Sequence, residues 1–183
     1  MIPIRLSLLA LLFSTATLAA RSAASTGSSE PAPTAGPFLR VAAVQMRSTR
    51  DVPANVTRIT RFLADCAAKG VQIAAFPECA VSGYYADFIP TLSVDQLEAA
   101  ARDVAAACRQ HRIAAIVGTP EIRGGKRYNT ALIINAQGTV LGRYDKAQPI
   151  TVDRAWGCQY GAGPSPVFSI GDGEVLYAGP NAS

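Results

Sequence analysis

Histidine is nearly missing from this sequence. His111 is the only one in 183 residues, so no histidine cluster can hold zinc, and none of the four cysteines stands at metal-ligand spacing from another. Neither a metal nor a cofactor is expected. Clustered lysine and arginine with interleaved aromatics are missing too. The 17 basic residues are spread against 13 acidic ones, which argues against a nucleic-acid partner. With 16% of residues charged and 49% hydrophobic, disorder throughout is excluded. No long apolar run occurs either. The run from Leu6 to Ala20 is interrupted by Ser7, Ser14, Thr15 and Thr17, and as a helix it would reach about 22 Å, short of the roughly 30 Å hydrocarbon core. A permanent membrane anchor is the weaker reading of it.

What that run fits is a secretory signal, with Arg5 before it and small residues behind. Residues 1–19 read as a signal peptide, with cleavage after Ala19 or as far along as Ala24. No cysteine stands near either position, which removes the usual lipoprotein anchor. Apart from Arg21 and Glu30, residues 20–37 are Ser, Ala, Thr, Gly and Pro with no apolar period, a flexible leader. The folded domain is expected over 38–183 and the destination is the periplasm or the medium. Mass spectrometry of the protein recovered from its host should find chains beginning between Ala20 and Ser25. An intact Met1 on a cytoplasmic protein would overturn this.

Val41 to Val44 is a short apolar run, the pattern of a strand buried on both faces. Asp51 can cap a helix whose first turn takes Pro53. Its apolar face is Val56, Ile59, Leu63, Cys66 and Ala67, and Gly70 ends it. Val71 to Phe76 reads as a second strand, closed by Pro77 and Glu78. Ser93 and Gln96 form a capping box for a second helix facing inward through Leu97, Ala100, Ala101, Val104, Ala105 and Cys108. Ile113 to Val117 is a third strand. Tyr128 to Ile134 and Thr139 to Tyr144 then read as a hairpin around Asn135 to Gly138. Parallel strands need crossovers and hairpin strands do not, so the class is α/β, a mixed sheet with flanking helices. Four cysteines in an exported chain allow three disulfide pairings. Cys66 and Cys108 lie on apolar helix faces, however, where free cysteine acts as a small buried hydrophobe.

Glu78 follows a buried strand and a proline at the carboxyl end of the sheet, where α/β proteins place their sites. Lys146 ends the second hairpin strand. Alone, either is as well read as a surface charge.

In order along the chain come Val41 to Met46, Asn55, Phe76-Pro77-Glu78 with Gly83-Tyr84, Tyr128-Asn129-Thr130-Ala131, and Gly138 through Gly142-Arg143-Tyr144-Asp145-Lys146. That series resembles the nitrilase superfamily of carbon-nitrogen hydrolases. The resemblance implies an α-β-β-α sandwich and cleavage of a nonpeptide amide or nitrile by a Glu-Lys-Cys triad. Glu78 matches the general base that activates a thiol, and Lys146 matches the cation that stabilises the oxyanion. Asp153 is the candidate for an accessory carboxylate, one methylene shorter than the family's glutamate and so expected to fall short. Tyr84 and Tyr85 are substrate-binding candidates, and a homo-oligomer is compatible with the resemblance.

The family's nucleophile follows the lysine by a few tens of residues, in a segment like Gly-x-x-Ile-Cys-x-Asp. Here Pro166-Val167-Phe168 resembles its lead-in, but no cysteine follows it before Ser183. Cys158 reads as a loop thiol ahead of the lead-in, and Cys79 as a neighbour of the site. The expectation is an incomplete sandwich, cut short by truncation or by a frameshift near Gly171 and inactive as it stands. Its rivals are a binding module that holds a small amide or a partner without turnover, and a nonfunctional gene fragment.

Overall fold

Two amphipathic helices and three short apolar strands alternate through the first half of the domain, and that alternation dictates a parallel start to the sheet. The computed structural model describes residues 38–162 and 167–168. The expected signal and leader, the Gly171 region and the Asn181-Ala182-Ser183 glycosylation pattern lie outside these. Strands β1 (Val41–Ala43), β2 (Ile73–Ala75) and β3 (Ala114–Arg123) are parallel, joined by helices α1 (Val52–Ala68) and α2 (Val94–His111). Strands β4 (Lys126–Ile134) and β5 (Val140–Asp145) then run antiparallel, giving one five-stranded sheet in chain order. A short helix, α3 (Thr151–Ala155), follows.

Both long helices start as the sequence requires. The Asp51 carboxylate accepts the Ala54 N–H at 2.9 Å. Ser93 and Gln96 exchange their capping-box bonds at 3.2 and 3.0 Å. Together these caps supply about 1 kcal/mol each. The helices cover one face of the sheet. Val56, Ile59 and Leu63 of α1 and Leu97, Val104 and Cys108 of α2 pack against Ala74, Ala115, Val117, Leu132 and Ile134. Ile59 and Leu63 are fully buried, each worth about 1.5–3 kcal/mol. The alternate strand residues Ile73, Ala114 and Ile133 point to the opposite face, where Leu141, Tyr144 and Phe168 join them. The Phe168 ring occupies the space a side chain at Gly142 would need.

Two expectations change. Strand β1 is an edge with Val41 62% exposed, rather than a strand buried on both faces, because only β2 flanks it. Strand β3 runs six residues past Val117 and returns through a Gly124–Gly125 turn, so the antiparallel part is a three-stranded meander rather than one hairpin. Asn55, in an Asn-Val-Thr glycosylation pattern, is fully buried. Its carboxamide bonds Thr49 and the Val81 carbonyl, tying α1 to the loop after β2.

Candidate active site

Glu78 is held by a tight reversal at the end of β2. Phe76 still donates to the Ile116 carbonyl at 2.8 Å, continuing the β2–β3 pairing. Three residues on, Cys79 takes φ +50, in the left-handed region that costs a side-chain-bearing residue about 1–2 kcal/mol. The turn closes with Ala80 N–H on Pro77 O and Gly83 N–H on Cys79 O, and Val81 N–H reaches Gly118 O on β3. Gly118 lies directly beneath. A Cβ there would stand 2.7 Å from Cys79 N and 2.8 Å from the Glu78 Cα, so only glycine lets the turn rest on β3.

Lys146 is delivered by the other half of the sheet. Its N–H donates to the Asn129 carbonyl at 2.8 Å, one step beyond the β4–β5 ladder. The two charged groups, 68 positions apart, meet with Lys146 Nζ 2.8 Å from Glu78 Oε1. The same Nζ lies 2.8 Å from Asp153 Oδ2. Asp153, on the single turn of α3, therefore does reach the lysine. Its side chain is completely buried and takes four donors: the Ile150 N–H, Lys146, the Tyr84 hydroxyl at 2.8 Å and the Asn129 amide at 2.9 Å. Both oxygens are occupied, so Asp153 anchors the cluster and is not available as a base.

Burial works to raise the Asp153 pKa. It is outweighed by the hydrogen bonds from Lys146, the Ile150 N–H, Tyr84 and Asn129, which hold the carboxyl below the usual carboxylate value. Burial works to lower Lys146 and is outweighed in turn by the bonds and charges of Asp153 and Glu78, which keep the ammonium above the usual lysine value. Burial, the bond to Asp153 and the nearby Glu78 charge push the Tyr84 phenol upward.

Of the two tyrosine candidates, Tyr84 belongs to the cluster, with Lys146 Nζ 5.7 Å from its ring centroid. Tyr85 does not. Its hydroxyl donates to the Ser48 carbonyl and its ring lies under the Arg50 guanidinium, so it braces the neighbouring loop. Asn129 is the site residue that sequence reasoning passed over. It was visible only as part of the Tyr128-Asn129-Thr130-Ala131 series, although a carboxamide inside an apolar strand is itself a signal of a buried polar partner.

None of the four thiols stands ready as a nucleophile. Cys79 is fully buried, with its S–H toward Asn129 Oδ1 at 3.7 Å. Burial, Glu78 and Asp153 all raise its pKa. Cys158 is buried against Cys79, Ile89 and Trp156 and pushed up to about 11, chiefly by burial. Burial takes Cys108 up to about 12 within the helix layer, and Cys66, on α1, is raised by burial as well. Thiolate, the reactive form, is scarce at all four at neutral pH. Among the described residues no cluster of His, Cys, Asp or Glu could hold a metal ion.

Glu78 and Lys146 border a cavity of about 360 Å³ on the sheet face away from the helices. Its lining includes Ala75, Ile116, Gly118, Ala131 and Tyr144. Among the described residues Lys146 has used two of its three protons on carboxylates, and Glu78 Oε1 is taken while Oε2 has no donor. One donor and one acceptor thus stand side by side over small apolar residues.

A sequence model of the carbon-nitrogen hydrolase family matches residues 40–177. Human omega-amidase NIT2 is 32% identical over 121 residues, which cover 62% of this chain and 42% of that enzyme. The aliphatic nitrilase of Rhodococcus rhodochrous is 30% identical over 149 residues, covering 73% of this chain and 40% of the nitrilase. Among solved structures, a mutant of the amidase from Nesterenkonia sp. AN1 in complex with butyramide superimposes with a TM-score of 0.68 at 28% identity, over 73% of this chain and 52% of that one. Another mutant of that amidase shows Michael addition of acrylamide at its active-site cysteine. The chain spans less than half the length of these curated relatives and about half that of the solved amidase.

Proposed function

The chain belongs to the carbon-nitrogen hydrolase family, and we propose that its Glu78–Lys146–Asp153 cluster is the acid-base and oxyanion half of a site that acts on nonpeptide amides or nitriles. The observation that carries this is the pairing, at the rim of one cavity, of a Glu78 oxygen and a Lys146 proton that no described residue occupies. A primary amide offers the complement, a carbonyl oxygen for Lys146 and an N–H for Glu78. With a thiol beside them, Glu78 would take the thiol proton. Lys146 would stabilise the tetrahedral oxyanion, and ammonia would leave with a proton returned by Glu78. Water activated by the same carboxylate would then hydrolyse the thioester.

That thiol is not among the four this chain carries in a usable place, which favours binding without turnover for the 183-residue polypeptide. Heteronuclear NMR with butyramide, chosen for the relative's ligand, tests the reading. Shifts should centre on residues around Glu78 and Lys146, and Lys146→Met should weaken binding at least about tenfold, the order of one hydrogen bond to a charged group. Ammonia release should stay at the level of buffer, with or without iodoacetamide. Alkylation-sensitive release abolished by Cys158→Ala or Cys79→Ala would show that a buried thiol does act and would overturn the assignment.

A further inference from the structure

Glu78 has two carboxylate oxygens, and the structure treats them differently. Oε1 accepts Asn129 Nδ2 at 2.6 Å and Lys146 Nζ at 2.8 Å, and among the described residues no donor reaches Oε2. The orientation of the Asn129 carboxamide follows from its surroundings. Its NH₂ edge faces Glu78 Oε1 and Asp153 Oδ1, at 2.6 and 2.9 Å, and ionised carboxylates only accept. Its oxygen takes the one remaining donor, the Cys79 thiol. Asn129 is 5% exposed, and its carbonyl also receives the Lys146 N–H, so a single residue of β4 fixes both partners of the Glu78–Lys146 pair. The Glu78 side chain remains 45% exposed.

We propose that Asn129 is a positioning residue for Glu78: together with Lys146 it saturates Oε1, so that Oε2 is the atom that takes and returns the proton. This rests on the reading of Glu78 as the base. An unrestrained glutamate at this exposure could rotate and offer either oxygen. Pinning one oxygen selects a single proton-transfer geometry, and the second Asn129 proton ties that geometry to the buried Asp153 anchor.

The test is NMR relaxation of the 183-residue chain labelled with ¹³C in its glutamates, the Glu78 resonances being assigned by their loss in Glu78→Gln. Asn129→Leu keeps the volume and removes both donors. The Glu78 side chain should be ordered in the parent and should gain fast rotamer motion in a folded Asn129→Leu, its order parameter falling below about 0.6. A folded Asn129→Leu whose Glu78 side chain stays as ordered as in the parent would overturn the proposal, since Lys146 alone would then hold it. Should Asn129→Leu fail to fold, Asn129→Asp keeps the shape and replaces both donors by acceptors. Glu78 should then lose its fixed position in the same measurement, and an unchanged order parameter would overturn the proposal. A parent that ignores butyramide would count against the amide reading only, because the relaxation reads Asn129 whether or not ligand binds.

Discussion

Asp153→Ala will lower the stability of the folded chain by about 3–5 kcal/mol at pH 7, the range for breaking a buried ion pair by removing one partner. The loss is large because Asp153 is fully buried and accepts four hydrogen bonds. Alanine leaves the Tyr84 hydroxyl, the Ile150 N–H and one Asn129 proton facing an apolar void, and Lys146 with Glu78 as its only carboxylate. Against the 5–15 kcal/mol typical of a domain, this is a substantial share, and urea unfolding should show it as a midpoint shift of roughly 2 M. A shift below about 0.5 M would mean that the anchor is weak. The pH dependence has a definite sign. The folded Asp153 pKa lies below its unfolded value, so its contribution is complete above about pH 4 and disappears as pH falls through the folded value. Lys146 is raised, so its share is complete below about pH 10 and disappears as pH climbs through its folded value. The gap between parent and variant should therefore be flat across the neutral range and narrow at both ends.

Gly118→Ala should detach Glu78 from Lys146 although it adds one methyl and touches neither charge. The new Cβ would meet Cys79 N at 2.7 Å and the Glu78 Cα at 2.8 Å. Those are backbone atoms that cannot swing aside as a side-chain tip can. The turn must lift from β3, weakening the Val81–Gly118 hydrogen bond and carrying the carboxylate away from Nζ. Overpacking of this kind costs about 1–3 kcal/mol. The effect on butyramide binding should be larger than that on stability, at least about tenfold, because one donor–acceptor pair of the site is lost. Gly125→Ala is the control. Nothing lies within 4 Å of its Cβ position, so it should bear only the local cost of its left-handed backbone, about 1–2 kcal/mol, with binding unchanged. Equal binding losses in the two variants would refute the positional argument.

Both long helices, with their caps, and the β4–β5 hairpin were legible because each is written in local chemistry: Asp51 and Ser93 at helix starts, apolar residues at helical spacing, Asn135 to Gly138 at a turn. The extension of β3 was not, because Pro120 argues against a strand. The proline is tolerated since β2 pairs only as far as Ala75↔Ile116, leaving β4 alone beside β3 at that point. Helix α3 is five residues long, too short to show a period. Glu78 and Lys146 came from resemblance and the sheet brought them together. Asn129 and the reach of Asp153 depend on side-chain geometry across three elements, which no spacing along the chain encodes.

The chain has one tryptophan, and its location has a consequence for watching the domain assemble. Trp156 stands three residues after Asp153 and is buried with Cys79, Ile89 and Cys158, behind the ion-pair cluster. The meander β3–β4–β5 is closed by tight turns and forms from near neighbours. Glu78 and Cys79 arrive only when the helical crossovers have laid β2 against it, a contact of long sequence separation and therefore slow. Trp156 loses its water only when those two halves meet. Its fluorescence is thus a built-in clock for the final step of folding, timing the closure of the site itself rather than the collapse of the chain.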